Sequence, residues 1–240
     1  MQRTIVNHKK MSIIEAKGIY KTYQETKVPV HALNGVNLKI EEGEFTAIVG
    51  PSGSGKTTLL NILGGLDLPT KGDILIEATN LKTLSSRQLI NFRLHNIGFV
   101  FQSYNLIPVL TALENTEFIL ELQNIPKKER RQKAMELLEA VGIADKADHK
   151  PGQLSGGQQQ RVAVARALAS QPRFIIADEP TANLDSKSTN ELLEIMAAMN
   201  RRYHSTFIFA THDQRVMDKA RRIVTIDDGK IIGDETFKTR

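Results

Sequence analysis

Apolar positions along the chain fall into distinct textures. From Ile13 to Val49 they come in short runs, "SIIEAKGIY", "HALNGVNLKI" and "GEFTAIVG", separated by turn signals such as "EEGE". Runs of that kind read as strands. They precede any long helix and so predict an antiparallel β layer feeding a buried strand at 45–49. Residues 84–150 differ: "SSRQLINFRL", "VLTALENTEFILELQN" and "KKERRQKAMELLEAVG" carry helical spacing, with Pro108 and Pro126 as punctuation. They predict a mostly helical insertion. The last third alternates, with helices at 156–169, 186–203 and 213–220 and strands at 173–177, 205–210 and 222–226. Apolar strands alternating with helices imply a parallel sheet covered on both faces.

Two of the buried strands end in chemistry. The run "FTAIV" leads into "GPSGSGKTT" at 50–58, which fits G-x-x-x-x-G-K-[ST] with every position filled. Gly50, Gly53 and Gly55 let the backbone curl around Ser52 and Ser54 so that successive amides point at one centre. The helix that opens with Lys56, Thr57 and Thr58 then adds its N-terminus to that anion nest. In such a loop the lysine reaches the β- and γ-phosphates and the Thr57 hydroxyl ligates Mg²⁺. The second strand ends in "FIIADEPTANLD", with Asp178 and Glu179 side by side. Adjacent carboxylates at the end of an apolar run are costly unless they have work to do. In a P-loop protein the first holds Mg²⁺ and its waters, and the second can polarise a water for in-line attack on the γ-phosphate.

Composition narrows the partners. Of 240 residues, 40% are hydrophobic and 25% charged, and no apolar stretch approaches the roughly 20 residues of a membrane span. The segment "MQRTIVNHKK" lacks the apolar run of a secretory signal, and zero cysteines removes disulfides and thiolate metal sites, which suits a cytosolic address. Net charge is +5, and the densest basic stretch, "PKKERRQK", leads into a helical pattern and reads as a solvated face. No tryptophan and 5% aromatic residues leave no obvious stacking platform for nucleic acid, so no nucleic-acid partner is expected.

A further segment, "LSGGQQQRVAVARAL", starts at Leu154, where Ser155, Gly156 and Gly157 offer a hydroxyl and amides ahead of a long helix. Alone it reads as an ordinary helix N-cap. Together with the P-loop about a hundred residues earlier, "LSGGQ" resembles the signature of the ATP-binding cassette (ABC) ATPases. The other landmarks follow in order: Gln102 in "FVFQSYNLIP", Asp185 in "ANLD", His212 in "FATHD", and Tyr23 in "GIYKTYQ".

The resemblance implies an α/β fold. It comprises a P-loop NTPase core, a RecA-like parallel sheet, with an N-terminal antiparallel β subdomain and an inserted α-helical subdomain. It covers residues 12–234, with helices at about 103–165, an extension at 1–11 in which Met11 is an alternative start, and a tail at 235–240. It implies ATP and Mg²⁺ as ligands, and Tyr23 stacked on adenine. Two copies pack head to tail so that ATP on one P-loop meets Ser155, Gly156, Gly157 and Gln158 of the other, with Asp185 nearby. Gln102 contacts Mg²⁺ and the γ-phosphate, and Glu179 and His212 hold the attacking water. "GLDLPTKG" and "IGFVFQSYNLIPVLTALENTEF" are further similar to the subgroup serving FtsX-type permeases, among them lipoprotein-release, macrolide-efflux and cell-division cassettes. That implies a separate integral-membrane partner and a peripheral place on the inner membrane face. A different ABC importer or exporter is the first alternative; a soluble ABC ATPase on ribosomes or DNA is the second.

Overall fold

The structure is a computed structural model that describes residues 12–24 and 28–237; the 1–11 extension, both candidate starts and residues 238–240 lie outside the described residues. Two sheets organise it. β1 (Ser12–Tyr23) pairs antiparallel with β2 (Val30–Glu41) on one side and with β4 (Lys71–Ile76) on the other, and β5 (Thr79–Asn80) completes the order β2-β1-β4-β5. The second sheet has six strands. β3 (Phe45–Val49), β6 (Ile97–Phe101), β7 (Phe174–Asp178), β8 (Thr206–Ala210) and β9 (Arg222–Asp227) run parallel, and β10 (Lys230–Thr236) pairs antiparallel with β9 at the edge. The order is β10-β9-β3-β8-β7-β6.

The parallel strands β3, β6, β7 and β8 are largely apolar on both faces, and their alternation sorts side chains between two cores. On one face Phe207, Phe209, Ile175, Ala177 and Val100 meet α3 (Ala112–Leu122), α4 (Lys127–Ala140), α5 (Gly156–Ala169) and α6 (Ser186–Tyr203). On the other, Ile208, Ala210, Phe174, Ile176 and Ile48 meet α1 (Lys56–Leu63) and the inner face of the antiparallel sheet, including Ile14, Ile19, Leu33 and Ile40. Two helices remain, α2 (Ser86–Asn96), which precedes β6 in the chain, and α7 (Gln214–Lys219), before β9.

The predicted architecture is the observed one, a parallel core sheet with an N-terminal antiparallel sheet and a helical insert. Four strands, β4, the two-residue β5, β6 and β10, depart from the sequence reading. β6 lies inside the stretch read as helical because "IGFVF" is a five-residue apolar run whose identity is set only by pairing with β7. Gly98 lets it lie under α5: a Cβ there would stand 2.5 Å from the Ala167 carbonyl oxygen. β4 and β10 carry alternating or exposed residues too sparse to announce themselves, and β10 takes in residues 235 and 236 of the predicted tail.

Phe207 is fully buried and its ring lies 5.6 Å from that of Phe45 and 5.9 Å from that of Phe209. Phe207→Ala should cost about 3–5 kcal/mol in urea unfolding, the range for large-to-alanine truncation in a packed core.

Candidate active site

The parallel strands all end at one edge of the sheet, and the candidate residues stand there. Val49 of β3 leads into the P-loop, Phe101 of β6 into Gln102, Asp178 of β7 into Glu179, and Ala210 of β8 into Thr211 and His212. In open α/β sheets this carboxyl-end crevice is where ligands bind.

The P-loop needs its glycines. Gly50, Gly53 and Gly55 have φ of 154°, 79° and 105°. A Cβ on Gly50 would lie 2.0 Å from the Ile226 carbonyl oxygen, and one on Gly55 2.5 Å from that of Ala32, so neither tolerates a side chain. Helix α1 starts directly after Gly55 with no side-chain cap, whereas Ser85, Thr111, Ser155, Asp185 and Asp213 cap α2, α3, α5, α6 and α7. Its first amides therefore lack a capping side chain and carry the positive end of the helix dipole. Lys56 arches back over the loop, its Nζ donating to the Gly50 and Pro51 carbonyls at 2.8 Å each. Ser54 is buried in the loop, Ser52 is exposed, and Thr58 bonds the Tyr23 hydroxyl.

The two carboxylates point to different work. The Thr57 hydroxyl donates to Asp178 Oδ1 at 3.2 Å, bridging the P-loop helix to β7. Burial pushes the Asp178 carboxyl up and Glu179 adds to it, while Thr57 and Lys56 oppose. Glu179 has a left-handed φ of 46°, uncommon outside glycine, yet its amide still donates to the Ala210 carbonyl at 2.9 Å. Its side chain turns to His212: Oε1 lies 2.8 Å from Nδ1, and the Thr211 hydroxyl donates to Oε2 at 3.4 Å. An ionised carboxylate only accepts, so Nδ1 is the protonated nitrogen. Glu179 is 18% exposed and His212 74%, so the pair has one sheltered and one open end.

The signature residues lie elsewhere. Ser155 Oγ accepts from the Gln158 amide at 3.3 Å and Gln158 Oε1 accepts from the Ser155 amide at 2.9 Å, a capping box. Gly156 sits against the Tyr104 hydroxyl and Gly157 against Ser188. Asp185 caps α6, accepting from the Lys187 and Ser188 amides at 2.9 and 3.0 Å and from the Ser188 hydroxyl, which holds its carboxyl below the usual range. Among the described residues no hydrogen bond or ion pair joins residues 155–158 to residues 50–58. The signature helix and the P-loop helix pack on opposite faces of the sheet.

Several partners escaped the sequence reading. Tyr23 donates to Asp67 Oδ2 at 3.0 Å, Lys21 donates to Asp67 Oδ1 at 2.6 Å, and the ammonium lies 4.9 Å from the Tyr23 ring. Burial, followed by Asp67, pushes the phenol up. Thr181 donates to Asp213 at 3.0 Å, and Asn183 to the Gln102 carbonyl at 3.1 Å. These pairs are 32 to 81 residues apart. No local motif signals them.

Fold and strand ends together define a P-loop nucleotide hydrolase. Within that class the chain belongs to the ABC transporter family, whose profile matches residues 33–182; it is an ABC ATPase cassette. An uncharacterised ABC transporter ATP-binding protein of Thermotoga maritima is 51% identical over 223 residues, 93% of this chain and 95% of that one. The macrolide export ATP-binding/permease protein MacB of Brucella melitensis is 47% identical over 93% of this chain, which spans 34% of that protein. The dimeric post-hydrolysis structure of the cassette MJ0796 of Methanocaldococcus jannaschii, bound to ADP and Pi, superposes with a TM-score of 0.87 at 44% identity, covering 95% of this chain and 100% of that one.

The half-buried Asp178 carboxyl, its pKa raised by desolvation, holds its proton more readily folded than unfolded. Nucleotide-free protein therefore loses stability as pH rises from the unfolded value, near 4, through the raised one. Asp178→Asn keeps an oxygen for Thr57 and removes that charge. Its urea midpoint at pH 7 should exceed that of the parent, with the gain shrinking toward pH 4; a lower midpoint at pH 7 would contradict this assignment.

Proposed function

We propose that the chain is the ATP-hydrolysing subunit of a bacterial transport complex whose integral-membrane permease is a separate polypeptide of FtsX or macrolide-efflux type. The observation that carries the chemistry is the meeting of Lys56, Thr57, Asp178, Glu179 and His212 at the ends of three adjacent strands, β3, β8 and β7. The similarity to MacB-type proteins supports the permease class.

In this reading the P-loop amides and Lys56 bind the β- and γ-phosphates. Tyr23, held by Asp67, Lys21 and Thr58, presents its ring to the base. Thr57, Gln102 and Asp178 offer a hydroxyl, an amide and a carboxylate oxygen, a hard-oxygen set that suits magnesium. The cation also fits the electrostatics, since burial leaves Asp178 short of positive charge. Bound there, Mg²⁺ would neutralise phosphate charge. Glu179 accepts the proton of the attacking water while Nδ1 of His212 steadies its carboxylate, leaving Nε2 toward the γ-phosphate.

Ser155, Gly156, Gly157, Gln158 and Asp185 stand off from their own P-loop, so they serve that of a second copy. A homodimer closed by ATP contains two composite sites, and ligand that binds the closed form better drives closure. The MJ0796 dimer supports that arrangement. Between β6, α2 and α3 lies a groove of about 410 Å³ walled by Ile90, Phe99, Phe101, Ile107 and Phe118. It borders the Gln102 loop and suits an apolar segment of the permease, and in this reading the chain works at the inner face of the membrane. No helix among the described residues is long and apolar enough to cross it.

Glu179→Gln should retain ATP binding and lose roughly 10²–10⁴-fold in turnover, the range for a general base. Turnover near that of the parent would show that Glu179 is not the base. The same variant, isolated with ATP from native membranes, should bring a four-span permease with a large extracytoplasmic domain, identified by mass spectrometry. Recovery with ribosomes, DNA or soluble proteins alone would overturn the membrane reading and leave the ATPase chemistry standing.

A further inference from the structure

The loop that carries Gln102 is held by side chains that the proposed chemistry does not use. It leaves β6 at Phe101 and turns through Tyr104 and Asn105, with φ of 60° and 49°. Two consecutive non-glycine residues in the left-handed region persist only when their surroundings hold them there. Every carbonyl from 101 to 105 has a partner. Phe101 accepts from the Tyr104 amide at 3.2 Å and from Gln160 Nε2 at 3.3 Å, Gln102 accepts from Asn183, and Ser103 accepts from the Asn105 amide at 2.6 Å. Tyr104 and Asn105 both accept from Arg166, from Nη2 at 2.9 Å and Nη1 at 2.5 Å.

Arg166 is an odd choice for mere packing. It is half-buried, burial pushes its guanidinium down, and among the described residues no carboxylate pairs with it. Its planar fork gives each of the two successive carbonyls its own nitrogen, where a lysine would have to bring a single ammonium to both. Arg166 also lines the apolar groove beside Phe101, Asn105 and Ile107. It stands on α5, whose first turn is the signature and whose backbone rests on β6 through Gly98. Gln160, fully buried on the same helix, ties α5 to the Pro180 carbonyl at 2.7 Å, next to Glu179.

We propose that Arg166 is a positioning residue: its guanidinium clamps the Gln102 loop to α5, so that the signature and Gln102 travel as one body and a segment seated in the groove acts on the loop through it. The proposal rests on the reading of Gln102 as a γ-phosphate contact. An ordinary helix-to-loop contact would stabilise the fold without setting the reaction rate.

The test uses Arg166→Lys, with Arg166→Met as the second variant should the first prove unstable, and Gln102→Ala as reference. Hydrogen exchange is read on the full chain, ATP affinity in the Glu179→Gln background, and turnover by phosphate release. Losing one charge-assisted bond should speed exchange of amides 102–106 about tenfold or more, with α1 and α5 amides unchanged. ATP affinity should stay within about twofold, because the P-loop is untouched, while turnover falls about tenfold. Unchanged exchange at 102–106, or faster exchange throughout with a lower melting temperature and no loss of turnover per folded molecule, overturns the clamp. Faster local exchange with full turnover, while Gln102→Ala is slow, also overturns it and leaves the Gln102 reading intact. Full turnover in both variants means that the Gln102 reading has failed with it.

Discussion

The start of α1 is the constraint on which the rest depends. A helix N-terminus without a side-chain cap, reached through Gly50 and Gly55, which other backbone presses too closely for any side chain, is a site that an anion completes. Holding that loop takes a buried parallel strand beneath it, α1 against one face, and β7 close enough for Asp178 to meet Thr57. Asp178 is then half-buried with its charge incompletely met, and Glu179 is turned into a left-handed conformation beside it. Such costs are tolerated where they prepare a site for a ligand.

The sheet supplies one wall of the phosphate site. Its other face carries α5, whose N-terminus is a second anion-favouring end, already closed on itself by the Ser155–Gln158 box. In our account the second wall comes from another copy. The Gln102 loop sits between the two, bonded on one side to α5 and on the other to Asn183 of the segment that follows Glu179.

What could be read from the sequence was what is contiguous. "FTAIV", "FIIAD" and "TFIFA" are buried on both faces, so each shows as an apolar run, and the chemistry follows within two residues of the strand end. Helices 156–169 and 186–203 were legible to the residue because Ser155 and Asp185 cap them. β6 was not, since five apolar residues fit strand or helix until β7 pairs with them. Nor were the groups that orient the site. Asp67 on Tyr23, Arg166 on the Gln102 loop and Thr211 on Glu179 act across 44, 61 or 62, and 32 residues, and each alone is an ordinary polar residue. Ser155 marks the converse limit, because a helix cap and half of a phosphate site need the same residue.

The central claim is that each catalytic site is built from two copies, and complementation tests it most directly. Lys56→Ala should disable the P-loop of its own chain and Ser155→Arg the wall offered to a neighbour, so each homodimer should be inactive. Mixed in equal amounts, random pairing makes about half the dimers hybrid, each with one intact site, and turnover should recover to about a quarter of the parent rate. Absence of recovery at every mixing ratio, with both variants folded and Ser155→Arg still binding ATP, would place the whole site within one chain and contradict the account.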